Sequence, residues 1–168
     1  MRYFVVCVLL YSQISLAQSE RTILYEQATE FGYRNKFAEA EQVLSLIIAL
    51  NPLDSSAYFD RAIMREHLGD TLGAIADYSK EISIDSRNAD NHFLRGLLYR
   101  EMKKHQEALA DFKKVNHLDR GNADAHFFTA QMYALLKHSN RKMRKSLKAC
   151  LKVNPNHEEA QKMLLTIN

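Results

Sequence analysis

The chain has 168 residues, 46% hydrophobic and 26% charged, with a formal net charge of +3 at pH 7; that balance excludes bulk disorder and suits one domain. Only five Gly and two Pro are present, against roughly 12% for the two together in average usage. Few breakers mean few tight turns, which disfavours barrels and sandwiches and favours long helices. The first element has the anatomy of a secretory signal peptide over residues 1–17. Arg2 gives a positive start, Tyr3 to Leu10 is an apolar run, and Ser15-Leu16-Ala17 is a small-x-small cut site, so cleavage is expected after Ala17. The rival reading, a membrane anchor, meets Ser12 and Gln13 and falls short of the ~20 mostly apolar residues a span needs. The expected product is exported, periplasmic or secreted, with no stable membrane span after cleavage. It keeps one cysteine, Cys150, so no internal disulfide forms, and the apolar spacing around Cys150 reads as a small buried hydrophobe.

From residue 18 onward the sequence repeats. Asn88-Ala89-Asp90-Asn91-His92-Phe93 returns as Asn122-Ala123-Asp124-Ala125-His126-Phe127, 34 residues later. Ala40, Ala74 and Ala108 keep the same interval, as do Leu50, Ile84 and Leu118. The domain 18–168 therefore divides into repeats 21–54, 55–88, 89–122 and 123–157, followed by a helix over 158–168. Each repeat holds two helical patterns joined by a short break. In the third, Phe93, Gly96, Leu97 and Tyr99 stripe one helix and Ala108, Phe112, Val115 and Leu118 the other. Asn88 and Asn122 stand where N-caps belong.

These features resemble the tetratricopeptide repeat: the period, the helix-turn-helix content, and the steps Ala40-x-x-x-Leu44, Ala74-x-x-x-Tyr78 and Ala108-x-x-x-Phe112. Ala28, Ala62, Gly96 and Ala130 match its small site in the first helix, and Phe31, Tyr99 and Tyr133 its aromatic site. The resemblance covers nearly all of the chain after the leader. It implies an all-α, right-handed α-solenoid of four helix-turn-helix repeats, with 158–168 as the C-terminal capping helix. There are departures. Leu24, Tyr58, His92 and His126 stand in place of the family's Trp. Met143 replaces the small Ala of the fourth repeat, and the turn from Lys137 to Arg141 holds one extra residue. Ala108 is expected to face Gly96, where the paired helices cross closely. Glu81 falls at a site that should be small and buried, and either the register is locally wrong or Glu81 pairs with a nearby Arg.

One correlation is independent of the family pattern. Arg61 and Arg95 precede the small residue in repeats two and three, and those repeats also carry Asp77 and Asp111. Repeat one has Gln27 and Val43 at these places, and repeat four Thr129 and Ser146. Arg and Asp occur together or not at all, which predicts structural ion pairs Arg61–Asp77 and Arg95–Asp111.

The resemblance also implies a concave face lined by the first helices. Tyr25, Phe59, Phe93 and Phe127 form an aromatic row there, Ile63 and Leu97 belong to the next row, and Leu94 and Phe128 border it. Two readings stand side by side: a groove for a protein or peptide partner with apolar anchors, or rings that pack against the next repeat. The family's clamp for a peptide C-terminal carboxylate needs Lys and Asn; Tyr25, Thr29, Asp60, Asp90 and Leu94 occupy those sites, so that clamp is not expected.

Charge divides the chain. Residues 18–88 hold 7 Lys/Arg and 12 Asp/Glu, whereas 89–168 hold 15 and 8. No acid occurs from 125 to 157, a stretch containing Lys137, Arg141, Lys142, Arg144, Lys145, Lys148 and Lys152. These residues read either as a solvated outer face or as a contact for an anionic surface; for an exported protein, nucleic acid is not the expected partner. No nucleotide loop is present, Gly69 and Gly73 being isolated. His157-Glu158 begins like a zinc-protease motif, but Gln161 stands where the second His is required. His92 and His126 read as packing residues rather than metal ligands. The expectation is therefore a non-enzymatic scaffold without metal or cofactor, binding a protein or peptide in its groove. The alternative is a self-assembling structural protein of the envelope that joins its acidic first half to its basic second half.

Overall fold

The structure, a computed structural model, describes residues 18–167 in full and, of residues 2–17, only the helical backbone. The expected leader, residues 1–17 with its cut after Ala17, lies outside the residues described with side chains. Among the described residues every regular element is an α-helix. The order is α1 (Arg2–Tyr33), α2 (Phe37–Leu50), α3 (Ser55–His67), α4 (Thr71–Ile84), α5 (Ala89–Glu101), α6 (His105–Leu118), α7 (Ala123–Leu135), α8 (Asn140–Val153) and α9 (Glu158–Thr166). Among these residues no helix is long and apolar enough to cross a membrane.

Helices α3, α5, α7 and α9 begin at steps of 34, 34 and 35 residues. The surplus residue sits in a single turn: three residues join α1 to α2, α3 to α4 and α5 to α6, but four, 136–139, join α7 to α8. Each of these turns contains one left-handed residue: Asn35 (φ 58°), Gly69 (79°), Lys103 (59°) and Lys137 (55°). The turn amides return to the helix they leave, as in Lys103 N–H to the Arg100 carbonyl (3.0 Å) and Lys104 N–H to the Tyr99 carbonyl (2.8 Å). That pairing satisfies carbonyls the helix end would leave bare. At the other ends, side-chain caps start α3, α5, α7 and α9: Asp54, Asn88, Asn122 and His157 accept from Ala57, Asp90, Ala125 and Ala160 amides.

The chain divides into two compact units, Met1–Asp77 and Tyr78–Asn168, the division falling within α4. In the first, Ala28, Leu44, Ile47 and Ala57 form the buried centre, with Leu24, Val43, Ile48 and Met64 against it. In the second, Ala108, Leu109, Phe112 and Met132 form one cluster, and Phe127, Ala130, Leu147, Cys150, Ala160 and Ile167 another. The latter shows what α9 does: Ala160, Met163 and Leu164 cover the apolar side of α7 and α8. Burying a side chain such as Phe112 contributes about 2–3 kcal/mol. Cys150 is fully buried, and burial, with the nearby Asp124 charge, pushes its thiol up to about 11, so it packs as a hydrophobe.

Two local expectations are corrected. The nearest atoms to a side chain at Gly96 are not those of Ala108 but the Phe112 ring at 3.0 Å and Asp111 Cβ at 3.3 Å. Gly96 therefore makes room for the ring of Phe112, the residue that follows Asp111, while Ala108 is buried beside Phe112 and Met132. Among the described residues the buried Glu81 pairs with no arginine; its Oε2 accepts from Asn91 Nδ2. Counted by helix position, Glu81 and Asn91 replace Ile47 and Ala57, Val115 and Ala125, and Cys150 and Ala160. One apolar junction has been exchanged for a hydrogen-bonded polar one, and both residues changed together.

Candidate functional site

The Arg–Asp pairs place the first helix of each pair against the second. Arg61 gives Nε and Nη2 to Asp77 (2.8 and 2.7 Å) and Nη1 to Ser45 Oγ (3.0 Å). Arg95 repeats this with Asp111 (2.8 and 2.7 Å) and Ser79 (2.9 Å). Each guanidinium thus joins three helices, since the serine lies on the second helix of the preceding pair. Each carboxylate also has a further partner. Arg65 Nη1 reaches Asp77 (2.8 Å) while its Nε holds Glu41 (2.9 Å), and His92 Nδ1 donates to Asp111 (3.0 Å). Burial would raise the Asp111 carboxyl, but hydrogen bonds from Arg95 and His92 outweigh it and hold it below its ordinary value. His92 is thereby a packing histidine. The serines were missed in the sequence, although Ser45 and Ser79 keep the 34-residue interval.

Within each unit the first helices border hollows. In the first unit, Asp54 fixes the entrance. It caps α3 and accepts from Arg21 Nε (2.6 Å) and the Tyr25 hydroxyl (2.8 Å). Burial and then the bond to Asp54 raise the Tyr25 hydroxyl's pKa, so the phenol stays neutral and its ring is held in place. Behind it lies a hollow of about 250 Å³ lined by Tyr25, Ala28, Thr29, Gly32, Tyr33, Leu44, Asp60 and Met64. Asp60 is half-buried, and its carboxyl is raised by burial and by the Asp54 charge. Among the described residues no hydrogen bond or ion pair engages it. The hollow is therefore apolar with one uncompensated acid in its wall. Phe59 and Ile63, on the same helix as Asp60, are half-buried.

In the second unit the aromatic residues cluster. Phe93 lies 5.9 Å from both Phe112 and Phe128, ring centre to ring centre, and Phe112 and Phe128 are 5.2 Å apart. Leu97 packs on the same cluster, and Leu94 is half-buried. Arg100 sits 4.4 Å over the outer face of Phe128. Phe127 is only 7% exposed and packs on His157 at 4.6 Å. A hollow of about 500 Å³ opens beside Phe127 and Phe128, edged by Asp124, Glu158 and Glu159. Of the aromatic row, then, Tyr25 borders open space, Phe93 is half in the core, and Phe127 is mostly core. The first hollow sets one carboxylate in a largely apolar wall, which favours an apolar segment carrying a cationic side chain, whereas in the second Phe127 and Phe128 face mostly polar residues, Asn154, Asn156 and His157 among them. Of the basic residues expected at an anionic surface, Arg144 is engaged with the Ile167 carbonyl.

Family models described as tetratricopeptide repeat match residues 25–91 and 89–122. No curated protein matches the chain in sequence. Among solved structures, MamA 41-end from Desulfovibrio magneticus RS-1 is similar with a TM-score of 0.77 and 16% identity, over 88% of this chain and 83% of that one. YrrB, described as a tetratricopeptide-repeat protein with an unusual peptide-binding site, gives 0.72 and 18% identity, over 87% and 75%. PilF of Pseudomonas aeruginosa gives 0.70 and 16% identity, over 90% and 68%. At such identities the likeness speaks for the fold.

Proposed function

We infer that this chain, which belongs to the tetratricopeptide repeat family, is a non-enzymatic interaction scaffold that holds a protein or peptide segment on the face built by its first helices. The observation that carries this reading is the hollow beside Tyr25: apolar walls from Ala28, Leu44 and Met64, and a half-buried Asp60 without a partner. Leaving a carboxylate uncompensated at a half-buried site opposes stability, and an incoming lysine or arginine of a bound segment would relieve it. Phe59, Ile63, Phe93, Leu94, Leu97 and Phe128 supply apolar contact area, and Phe127 supports Phe128 from below. YrrB, with the same fold, is described as having a peptide-binding site, which agrees with this use of the fold.

The test is an array of random 15-residue peptides probed with wild type, Asp60→Asn and Thr29→Arg. Wild type should retain peptides with a basic residue flanked by apolar ones. Asp60→Asn should lose the basic preference, and Thr29→Arg should bind none. Retention of the same peptides by all three proteins contradicts the reading. The leader supports export through cleavage after Ala17, checked by N-terminal sequencing of the mature protein for a start at Gln18. The charge division supports a second reading, self-association of acidic on basic halves; oligomers at low salt that dissolve at high salt in sedimentation would favour it.

A further inference from the structure

Counted by helix position, Ser79, Arg95 and Asp111 are the ninth residue of α4, the seventh of α5 and the seventh of α6. The same places one pair later, in α6, α7 and α8, hold Lys113, Thr129 and Ser146. Every member of the bridge has changed. The short Thr129 turns its hydroxyl back to the Ala125 carbonyl (2.8 Å) and accepts from Asn116 Nδ2 (2.8 Å). The space a guanidinium would fill is a hollow of about 500 Å³, with Lys113, Tyr133, Lys142, Lys145 and Ser146 in its walls. It shares Asn116, His126, Lys145 and Ala149 with an adjoining hollow of about 660 Å³ that reaches Arg120 and Lys152. No Asp or Glu lines either one. Among the described residues none of these four lysines, nor Arg120, is ion-paired. In the second and third repeats an arginine holds an internal carboxylate; here both are replaced, and the lysines around the gap face no carboxylate.

We propose that this groove between α6, α7 and α8 docks an acidic peptide segment, whose carboxylates take the place of the lost aspartate. Lys113, Arg120, Lys142, Lys145 and Lys152 are exposed, and cations gathered along one groove without counter-charge raise its potential and select an anion. The form of the groove selects an extended chain. Lys142, Lys145, Ala149 and Lys152 lie along one face of α8 at steps of three, four and three residues. Ten residues of helix cover about 15 Å, the reach of about five residues in extended conformation. The floor selects a peptide over a phosphate or a lipid headgroup. Asn116 lines both hollows, and among the described residues its covered Oδ1 has no hydrogen-bond partner; a peptide N–H that displaces its cover satisfies it, and a phosphate dianion does not. The site is distinct from the hollow at Asp60, whose carboxylate asks for the opposite charge.

The experiment uses fluorescence anisotropy of fluorescein-labelled (Glu-Ala)4 and (Gln-Ala)4 on the mature protein at low salt. The acidic peptide should bind at least ~10-fold more tightly, and Lys113→Gln/Lys145→Gln should remove at least ~10-fold of that affinity. Arg141→Gln/Lys148→Gln makes the same charge change outside the groove and should leave binding within ~2-fold, apart from general screening. Rebuilding the bridge with Lys113→Ser/Thr129→Arg/Ser146→Asp should fill the hollow and abolish binding while the protein still melts cooperatively. Equal affinity for the two peptides, or equal losses from the two double variants, overturns the proposal. So does tighter capture of pyrophosphate or of phosphatidylglycerol vesicles than of the acidic peptide. If the rebuilt variant does not fold, the paired glutamine variants decide alone.

Discussion

Residues 95 and 129 are each the seventh of a first helix, and they do opposite things. Arg95 ties Ser79 to Asp111 across three helices, whereas Thr129 bonds to its own helix and to Asn116 and leaves space beside it. The packing behind both places is alike: Phe112 and Leu147, the eighth residues of α6 and α8, are both fully buried. The repeat therefore does not need the ion pair to form. Desolvating a half-buried pair cancels much of its attraction, so exchanging the whole pair is cheap while removing one partner is not. A register can drop the bridge and turn its site outward without losing the fold.

The largest expected effect marks what the two registers share. Ala108 is fully buried, and Ala108→Arg should prevent folding, with a loss above ~3 kcal/mol from overpacking and a buried charge; soluble expression and far-ultraviolet circular dichroism read it. A wild-type melting curve would show the helix register to be wrong. Next comes the contrast itself. Asp111→Ala strands Arg95 and His92 and should cost about 3 kcal/mol in urea unfolding, whereas Ser146→Ala should cost under ~0.5 kcal/mol. Comparable costs would break the comparison. The Asp111 contribution also has a pH signature. Its folded-state carboxyl lies below the ordinary value, so its contribution is full above the unfolded value near 4 and disappears as pH falls through the folded one. The gap between wild type and Asp111→Ala should narrow below about pH 4.

A smaller effect sharpens the account at the polar junction. Burial raises the Glu81 carboxyl against the lowering bond from Asn91. The folded state then keeps its proton longer than the unfolded chain, and stability falls as pH rises through the raised value. Glu81→Gln keeps an acceptor for Asn91 without the charge, so at pH 7 it should add up to ~1 kcal/mol, or ~2–4 °C in melting temperature, with no gain near pH 4. The smallest effect tests the turns. Lys103 and Lys137 hold left-handed backbone, and glycine at either should add about 0.5–1 kcal/mol by calorimetry.

What was legible followed from repetition. The 34-residue period and the joint appearance of Arg61 with Asp77 and Arg95 with Asp111 show because each position has a mate to be compared with. Ser45 and Ser79 had the same signal, but serine is unremarkable until a guanidinium is seen to reach it. Asn91 went unread because its partner Glu81 lies across a turn, at a different helix position, so no fixed interval joins them. The bond from Tyr25 and Arg21 to Asp54 belongs to the chain's first pair and has no mate at all. The hollow at Thr129 was half visible: the missing Arg and Asp were noted, but a cavity depends on whether neighbours close over the gap. Here Lys113, Lys142 and Lys145 do not.

The central claim is that the fourth register is the same bridge site, emptied. A double-mutant cycle measures it directly. Thr129→Arg and Ser146→Asp are made singly and together beside a cycle of Arg95→Met and Asp111→Ala, with stability read by urea unfolding. Both cycles should give favourable coupling of roughly 1–3 kcal/mol, each single substitution in the fourth register being unfavourable and their combination restoring stability. Coupling within ~0.5 kcal/mol of zero for the rebuilt pair, alongside strong coupling between Arg95 and Asp111, would mean that the two places are not the same site and that the hollow has another origin.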